Sequence, residues 1–288
     1  MSAVGDRAFA TLQYLLPKHW LSRIIYRVMR SETVWLRNRI LSIFLNGYRV
    51  NMEEAVQSDP HAYPSFNAFF TRALKPDARP IASETDAVIS PVDGTVSQCG
   101  QIDGERLLQA KGHTYSLVEL LGGDHQVADK YRGGSFATIY LAPYNYHRIH
   151  MPLAGVVRDT LYLPGDLFSV NTATARTVPR LFARNERAIC NFTSADGDFA
   201  MAFIGALFVG SMATTWCGEI NPPRLRGNRP TAIATGAGTS LAKGAEAGRF
   251  NMGSTVIIVA EPGRVKWSDS LVSGAIVKMG QRIGTVRS

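Results

Sequence analysis

Phe199-Ala-Met-Ala-Phe-Ile-Gly-Ala-Leu-Phe-Val-Gly-Ser-Met-Ala-Thr-Thr-Trp-Cys-Gly218 runs twenty residues without a charge. A helix of that length would span a bilayer, so its reading decides the fold. The stretch also holds Gly205, Gly210, Ser211, Thr214, Thr215 and Gly218, and strand-compatible residues dominate it. It therefore reads as two buried strands around Gly210-Ser211 rather than a membrane span.

Working outward, the body repeats that pattern. Glycine-punctuated apolar runs occupy residues 87–96, 135–141, 155–162, 255–260 and 275–277. Short strands with frequent turn signals indicate a barrel or sandwich. One short helix is expected over 66–74, with Ser65 as N-cap and Pro76 just beyond it. Pro91-Val-Asp-Gly-Thr-Val96 is echoed by Pro152-Leu-Ala-Gly-Val-Val157 and, loosely, by Gly274-Ala-Ile-Val277. The later two are followed by Gly165-Asp-Leu-Phe168 and Gly280-Gln-Arg-Ile283, a hairpin pattern like that of biotinyl- and lipoyl-carrier folds. No Met-Lys-Met tip is present, so a carrier function is not expected. The expected class is α+β, with N-terminal amphipathic helices ahead of a β-rich body.

The chain has 288 residues, 45% hydrophobic and 19% charged, enough for a large core. Disordered, collagenous and low-complexity classes are excluded. Cys99, Cys190 and Cys217 are an odd, widely spaced set, which argues against a disulfide framework or a cysteine zinc site.

Charge is concentrated at one end. Residues 1–50 hold eight basic side chains and two acidic ones, Asp6 and Glu32, so most of the net +8 sits there. A nucleic-acid binder would spread that charge over its body, so none is expected as partner. Apolar residues recur at Leu12, Leu15, Leu16, Trp20, Ile24 and Ile25 with helical period, and Pro17 splits the segment in two. A further helix is expected from Trp35 to a stop at Asn46-Gly47. An apolar face beside arginines suits a membrane interface; a helical pair packed on its own body would show the same pattern. No unbroken apolar core or small-residue cleavage site marks a secretory signal.

Familiar cofactor and nucleophile motifs fail. Gly133-Gly-Ser135 is not a nucleophile elbow, Gly236-Ala-Gly238 lacks a third glycine, and no Walker loop or His-Glu-x-x-His zinc motif occurs. No metal site is expected. Three islands remain: Ser90-Pro-Val-Asp93-Gly94, Tyr144-Asn-Tyr-His147-Arg-Ile-His150-Met-Pro152, and Phe250-Asn-Met-Gly253-Ser254-Thr255. Singly these are turns or strand ends. Together they supply the acid, histidine and serine of an activated nucleophile.

These islands, with Phe66-Asn-Ala-Phe-Phe-Thr-Arg-Ala-Leu-Lys75, Arg79-Pro80 and Lys111-Gly-His-Thr-Tyr-Ser-Leu117, make the chain resemble bacterial, membrane-associated, pyruvoyl-dependent phosphatidylserine decarboxylases. The family's Leu-Gly-Ser-Thr signature reads Met252-Gly-Ser-Thr255 here. Met and Leu are flexible apolar residues of similar volume, so little effect is expected.

The resemblance implies a proenzyme that cuts itself between Gly253 and Ser254. Ser254 would become a pyruvoyl group, the sole cofactor, with neither metal nor pyridoxal phosphate. The β chain would be residues 1–253 and the α chain 254–288. Residues 1–48 would form the membrane-association segment and 49–288 the catalytic domain. Asp93, His150 and Ser254 would form the self-cleavage triad, and His147 the general acid of decarboxylation, although exchanged histidine roles remain open. Tyr140 would line the substrate site. The pyruvoyl would form a Schiff base with phosphatidylserine, releasing CO₂ and phosphatidylethanolamine. Expected partners are the anionic membrane surface, the two chains of one precursor, and a second copy in a homodimer, with the enzyme peripheral on the cytoplasmic face of the inner membrane. A serine hydrolase using Asp93, His150 and Ser254 in trans, or a non-processing lipid-binding relative, stands as the alternative.

Overall fold

The computed structural model describes residues 3–110, 112–208, 211–220, 230–233 and 235–287. Three helices open the chain: α1 (Ala3–Leu15), α2 (Lys18–Met29) and α3 (Val34–Gly47). Pro17 sits at the N-cap of α2, so the expected break falls there. Helix α3 ends at Gly47, the expected stop.

The body is mixed α+β. Nine strands form one antiparallel sheet, and among the described residues no sheet closes into a barrel. Strand Ser254–Ala260 lies inside that sheet, between Ser135–Leu141 and Phe199–Ile204. Every residue of Ser254–Ala260 is buried, which explains its continuous apolar run. The charge-free stretch does resolve into two buried strands, Phe199–Ile204 and Met212–Thr214. They belong to different sheets: Met212–Thr214 pairs with Gly218–Ile220 and Glu246–Phe250. Gly210 lies outside the described residues, as does Lys111.

Two sequence expectations change. The run 87–96 is not one strand but two, Ala87–Ile89 and Gly94–Gln101, in separate sheets with the Ser90–Asp93 turn between. The helix expected over 66–74 is α4 (Phe66–Phe70), capped by Ser65 as predicted. It stops early because Thr71 Oγ1 bonds back to Asn67 O and Leu74 pairs with Ala55 as extended chain. Two of the echoed segments pair directly, Ile276 with Thr95 and Val277 with Gly94.

The N-terminal arm is inverted relative to an ordinary surface helix. Asp6, Gln13, Lys18 and Ser22 are buried, whereas Leu12, Leu15, Trp20 and Ile24 are exposed. Several of the buried polar groups meet partners on the body, although Gln13 Nε2 has none. Gln13 Oε1 accepts from Ser169 N at 2.7 Å, and Lys18 Nζ lies 3.7 Å from Asp166 Oδ1. Helix α3 contributes Leu41 to a small apolar cluster with Phe66, Phe69 and Phe70. That cluster straddles the 48/49 boundary, so α3 is packed into the body next to the site.

Candidate active site

Asp93 and Gly94 form the end of a turn and the start of a strand. A Cβ at Gly94 would stand 2.4 Å from Tyr140 O, so close strand approach, not a free turn, demands glycine. Asp93 is buried and held by Arg79. Arg79 Nε donates to both carboxylate oxygens at 2.9 and 3.1 Å, and Nη2 donates to Oδ2 at 2.5 Å. The Met279 amide adds a bond of 2.8 Å, and Arg79 also pairs with Glu54 at 2.8 Å. Sequence reading noted Arg79-Pro80 as a motif but did not assign this clasp.

His150 lies on a short strand, Arg148–His150, with both ring nitrogens engaged. Nδ1 is 2.8 Å from Gly244 O, which only accepts, so Nδ1 carries the hydrogen. In the neutral ring Nε2 then accepts from Tyr146 Oη at 3.0 Å. Burial pushes the His150 pKa below the usual imidazole value. Among the described residues neither Asp93 nor Ser254 hydrogen-bonds to His150 in this arrangement.

His147 is different. Its Nδ1–H donates to Asn145 O at 2.9 Å, while Nε2 is buried without a partner. Its ring packs tilted against Phe70, with centroids 4.0 Å apart, and α4 delivers Phe70 from the small apolar cluster. Full burial drives its pKa down to about 3, so the imidazole is neutral. A Cβ built on Gly253 would lie 3.8 Å from His147 Nε2 and 3.6 Å from Leu141 O. Gly253 is therefore beside a bare imidazole nitrogen, and its φ is outside the left-handed region.

Ser254 opens the buried strand directly after this glycine. It is fully buried, and its Oγ has no hydrogen-bond partner. An orphan hydroxyl and an orphan imidazole nitrogen flanking one peptide bond are costly for folding and mark a chemical site. Tyr140 pairs across from Thr255. The alternation of the strand thus puts it on the Thr255 face rather than the Ser254 face. Its phenol is half-buried, with its pKa pushed up to about 12 by burial, near Tyr48 and Tyr144.

Sequence reading missed the support behind the Gly253–Ser254 bond. Asn251 Nδ2 donates to Ser211 Oγ at 2.6 Å, and Asn251 Oδ1 accepts from Asn67 Nδ2 at 3.2 Å. Arg30, the C-cap of α2, donates to Ser211 Oγ at 3.1 Å and pairs with Glu219 at 2.5 Å. The only signal for this was the polar Asn251 inside an otherwise apolar approach to the strand.

A family model described as phosphatidylserine decarboxylase matches residues 66–285, and a second, described as PSD, matches residues 8–49. The phosphatidylserine decarboxylase proenzyme of Methylococcus capsulatus is 48% identical over 287 residues, covering 100% of this chain and 99% of its own length. The proenzyme of the same name from Ectopseudomonas mendocina is 49% identical, covering 98% and 99%. That of Nitrosococcus oceani is 50% identical, covering 97% and 91%. With matches of this extent and identity, the chain belongs to the phosphatidylserine decarboxylase family.

Proposed function

We propose that this chain is a self-cleaving proenzyme that decarboxylates phosphatidylserine to phosphatidylethanolamine and CO₂. The observation that supports the reading is that Ser254 Oγ is buried without a partner directly after Gly253, beside which the buried His147 Nε2 is also unpartnered.

Self-cleavage uses the chain's own groups. Ser254 Oγ loses its proton to an imidazole and attacks the Gly253 carbonyl carbon. The peptide C–N bond breaks as the acyl group moves from nitrogen to oxygen. β-Elimination then expels the Gly253 carboxylate and leaves a dehydroalanine at 254. One water hydrolyses it and ammonia departs, leaving a pyruvoyl terminus. In the role family resemblance assigns, His150 takes the serine proton with Asp93 orienting it. That requires His150 to leave Gly244 or Tyr146 and Asp93 to loosen from Arg79.

A pyruvoyl group at residue 254 would supply the carbonyl that holds the serine amine and the electron sink for loss of CO₂. His147, whose Nε2 lies near residue 253, would deliver a proton to the former α-carbon. Its low pKa means it needs an anionic neighbour, such as the substrate carboxylate, before it holds that proton at neutral pH. Full burial of Ser254 disfavours a hydrolase acting in trans.

Membrane association is part of the proposal. The outward apolar faces of α1 and α2, together with Trp35 of α3, 71% exposed, would lie in the interface. No described helix is long and apolar enough to cross a membrane. The anchoring would be peripheral, on the cytoplasmic leaflet, with arginines near anionic headgroups.

The test is intact-mass spectrometry of the purified wild type beside Ser254→Ala. Two chains split at 253/254, with pyruvoyl in place of Ser254, and an intact mutant support the reading. A single folded 288-residue wild-type chain overturns it.

A further inference from the structure

Arg72 follows α4 by two residues and is only 4% exposed. A buried guanidinium is normally answered by a carboxylate, because an uncompensated charge in a dry site is costly. Here Nη2 makes two long contacts, to Tyr144 O at 3.3 Å and Asn145 O at 3.4 Å. Its Nε is buried with no partner, and among the described residues no carboxylate lies within ion-pair reach of Arg72.

Arg72 lines a cavity of about 330 Å³ with Arg148, Arg249, Tyr63, Thr71 and Val56. The Arg148 charge is answered by Glu246 at 2.8 Å. Arg249, part-buried on strand Glu246–Phe250, makes no ion pair with any described residue. Two of three guanidiniums around one cavity therefore lack a counter-charge. Guanidinium forks match the oxygens of a phosphate group, and a cavity of this volume admits a headgroup-sized ligand.

We propose that the Arg72–Arg148–Arg249 cavity binds the phosphodiester of a glycerophospholipid headgroup. The inference rests on the reading of this chain as a phospholipid enzyme. The phosphodiester has two sources: the phosphatidylserine being processed, or a neighbouring anionic lipid at the surface. The cavity is wired to the site, since Asn145 O accepts from both Arg72 and His147 Nδ1. A phosphate there would screen the Arg72 charge from the His147 ring.

The experiment uses processed, full-length enzyme with Arg249→Gln and Arg72→Gln. Arg249→Gln removes a part-buried, unpaired side chain and should fold; Arg72→Gln is read only where circular dichroism shows a native fold. One arm measures kinetics on short-chain phosphatidylserine below its micellar concentration. The other measures binding to phosphatidylcholine vesicles with and without phosphatidylglycerol. If the substrate supplies the phosphate, Arg249→Gln raises KM about tenfold and moves kcat less. If a neighbouring lipid supplies it, KM on monomers holds, and the gain in binding from phosphatidylglycerol shrinks several-fold. Wild-type behaviour of both folded variants in both arms overturns the proposal. Loss of decarboxylation in the wild type itself would instead overturn the enzymatic reading, and the vesicle arm would still judge the cavity.

Discussion

The carboxylate of Asp93 is clasped by the guanidinium of Arg79, with three N–H···O contacts between 2.5 and 3.1 Å in a buried setting. A buried pair of this kind is most sensitive to losing one partner. Arg79→Gln strands Asp93 and half-buried Glu54 together and should lower unfolding free energy by about 3–5 kcal/mol. Asp93→Asn leaves Arg79 with Glu54 and keeps an acceptor for Met279 N, so it should cost about half as much. Urea unfolding measures both. Asp93→Asn at near wild-type stability, yet uncut by mass, would separate its chemical role from its structural one. A cleaved Asp93→Asn protein would remove Asp93 from the proposed triad.

The two histidines are distinguishable by their surroundings. His150 has both nitrogens occupied, and His147 has one nitrogen free beside Gly253. Under the roles proposed, His150→Gln should block cleavage by at least about a hundredfold, the usual scale of a lost general base. His147→Gln should still cleave, giving a processed protein whose decarboxylation falls about a hundredfold or more. Gel mobility reads the first step, and CO₂ release the second. The reverse pattern would assign the serine-activating role to His147, which the ground-state geometry also permits.

Much of this arrangement was legible before any coordinates. The Ser65 cap, the Pro17 break and the Gly47 stop are local signals, fixed by which backbone groups lack partners. The two buried strands within 199–218 followed from glycines and hydroxyls that a membrane helix would not carry so densely. Residue partnerships were not legible. Arg79 with Asp93, Asn251 with Ser211, and Tyr146 with His150 join positions 4 to 40 residues apart, through contacts that leave no periodic trace. The arm showed the limit most clearly. Periodicity gave an apolar face but not its direction, and only the body's polar partners, the Ser169 amide for Gln13 and the Asp166 carboxylate for Lys18, turn that face outward.

That outward face makes a prediction for membrane binding. Trp20 and Trp35 are 60% and 71% exposed, and each would insert its ring at the interface. Replacing both by serine should weaken binding to anionic vesicles by roughly tenfold or more, given about 1.5–3 kcal/mol for burying one large apolar side chain. Self-cleavage should change much less. Raised ionic strength should weaken binding further by screening the arm's arginines. Equal losses of vesicle binding and cleavage would sink the separation of anchor from catalyst.

Acid stability has two opposed contributions. His147 titrates near 6.5 unfolded and near 3 folded, so between those values only the unfolded chain binds the proton. Stability is thus lost as pH falls through that window. Glu186 has the reverse sign. Burial raises its folded pKa to about 7, from 4.5, and Tyr162 Oη bonds it at 3.1 Å. Its contribution is complete below 4.5 and is lost as pH rises through 7. Glu186→Gln should therefore gain stability over wild type on going from pH 5 to 8, by an amount of order 3 kcal/mol at roughly 1.4 kcal/mol per unit. Chemical denaturation at both pH values measures it. A pH-independent difference would mean that Glu186 is not protonated in the fold.

Arg30 couples the arm to the turn before Gly253. It caps α2, pairs with Glu219, and bonds Ser211 Oγ, which accepts from Asn251 two residues before Gly253. A turn approached from both sides, by Ser211 and Asn67, has little freedom to carry Gly253 away from His147. Arg30→Gln should therefore slow self-cleavage several-fold at unchanged fold, since a misplaced reacting bond is penalised steeply. Arg27→Gln provides the control. It removes the same charge from the same helix, where no contact to the turn exists among the described residues. A time course of β-chain appearance compares the two. If the variants slow cleavage equally, the effect is charge on the arm rather than the Arg30–Ser211–Asn251 relay. If only Arg30→Gln slows it, the N-terminal arm also positions the Gly253–Ser254 bond.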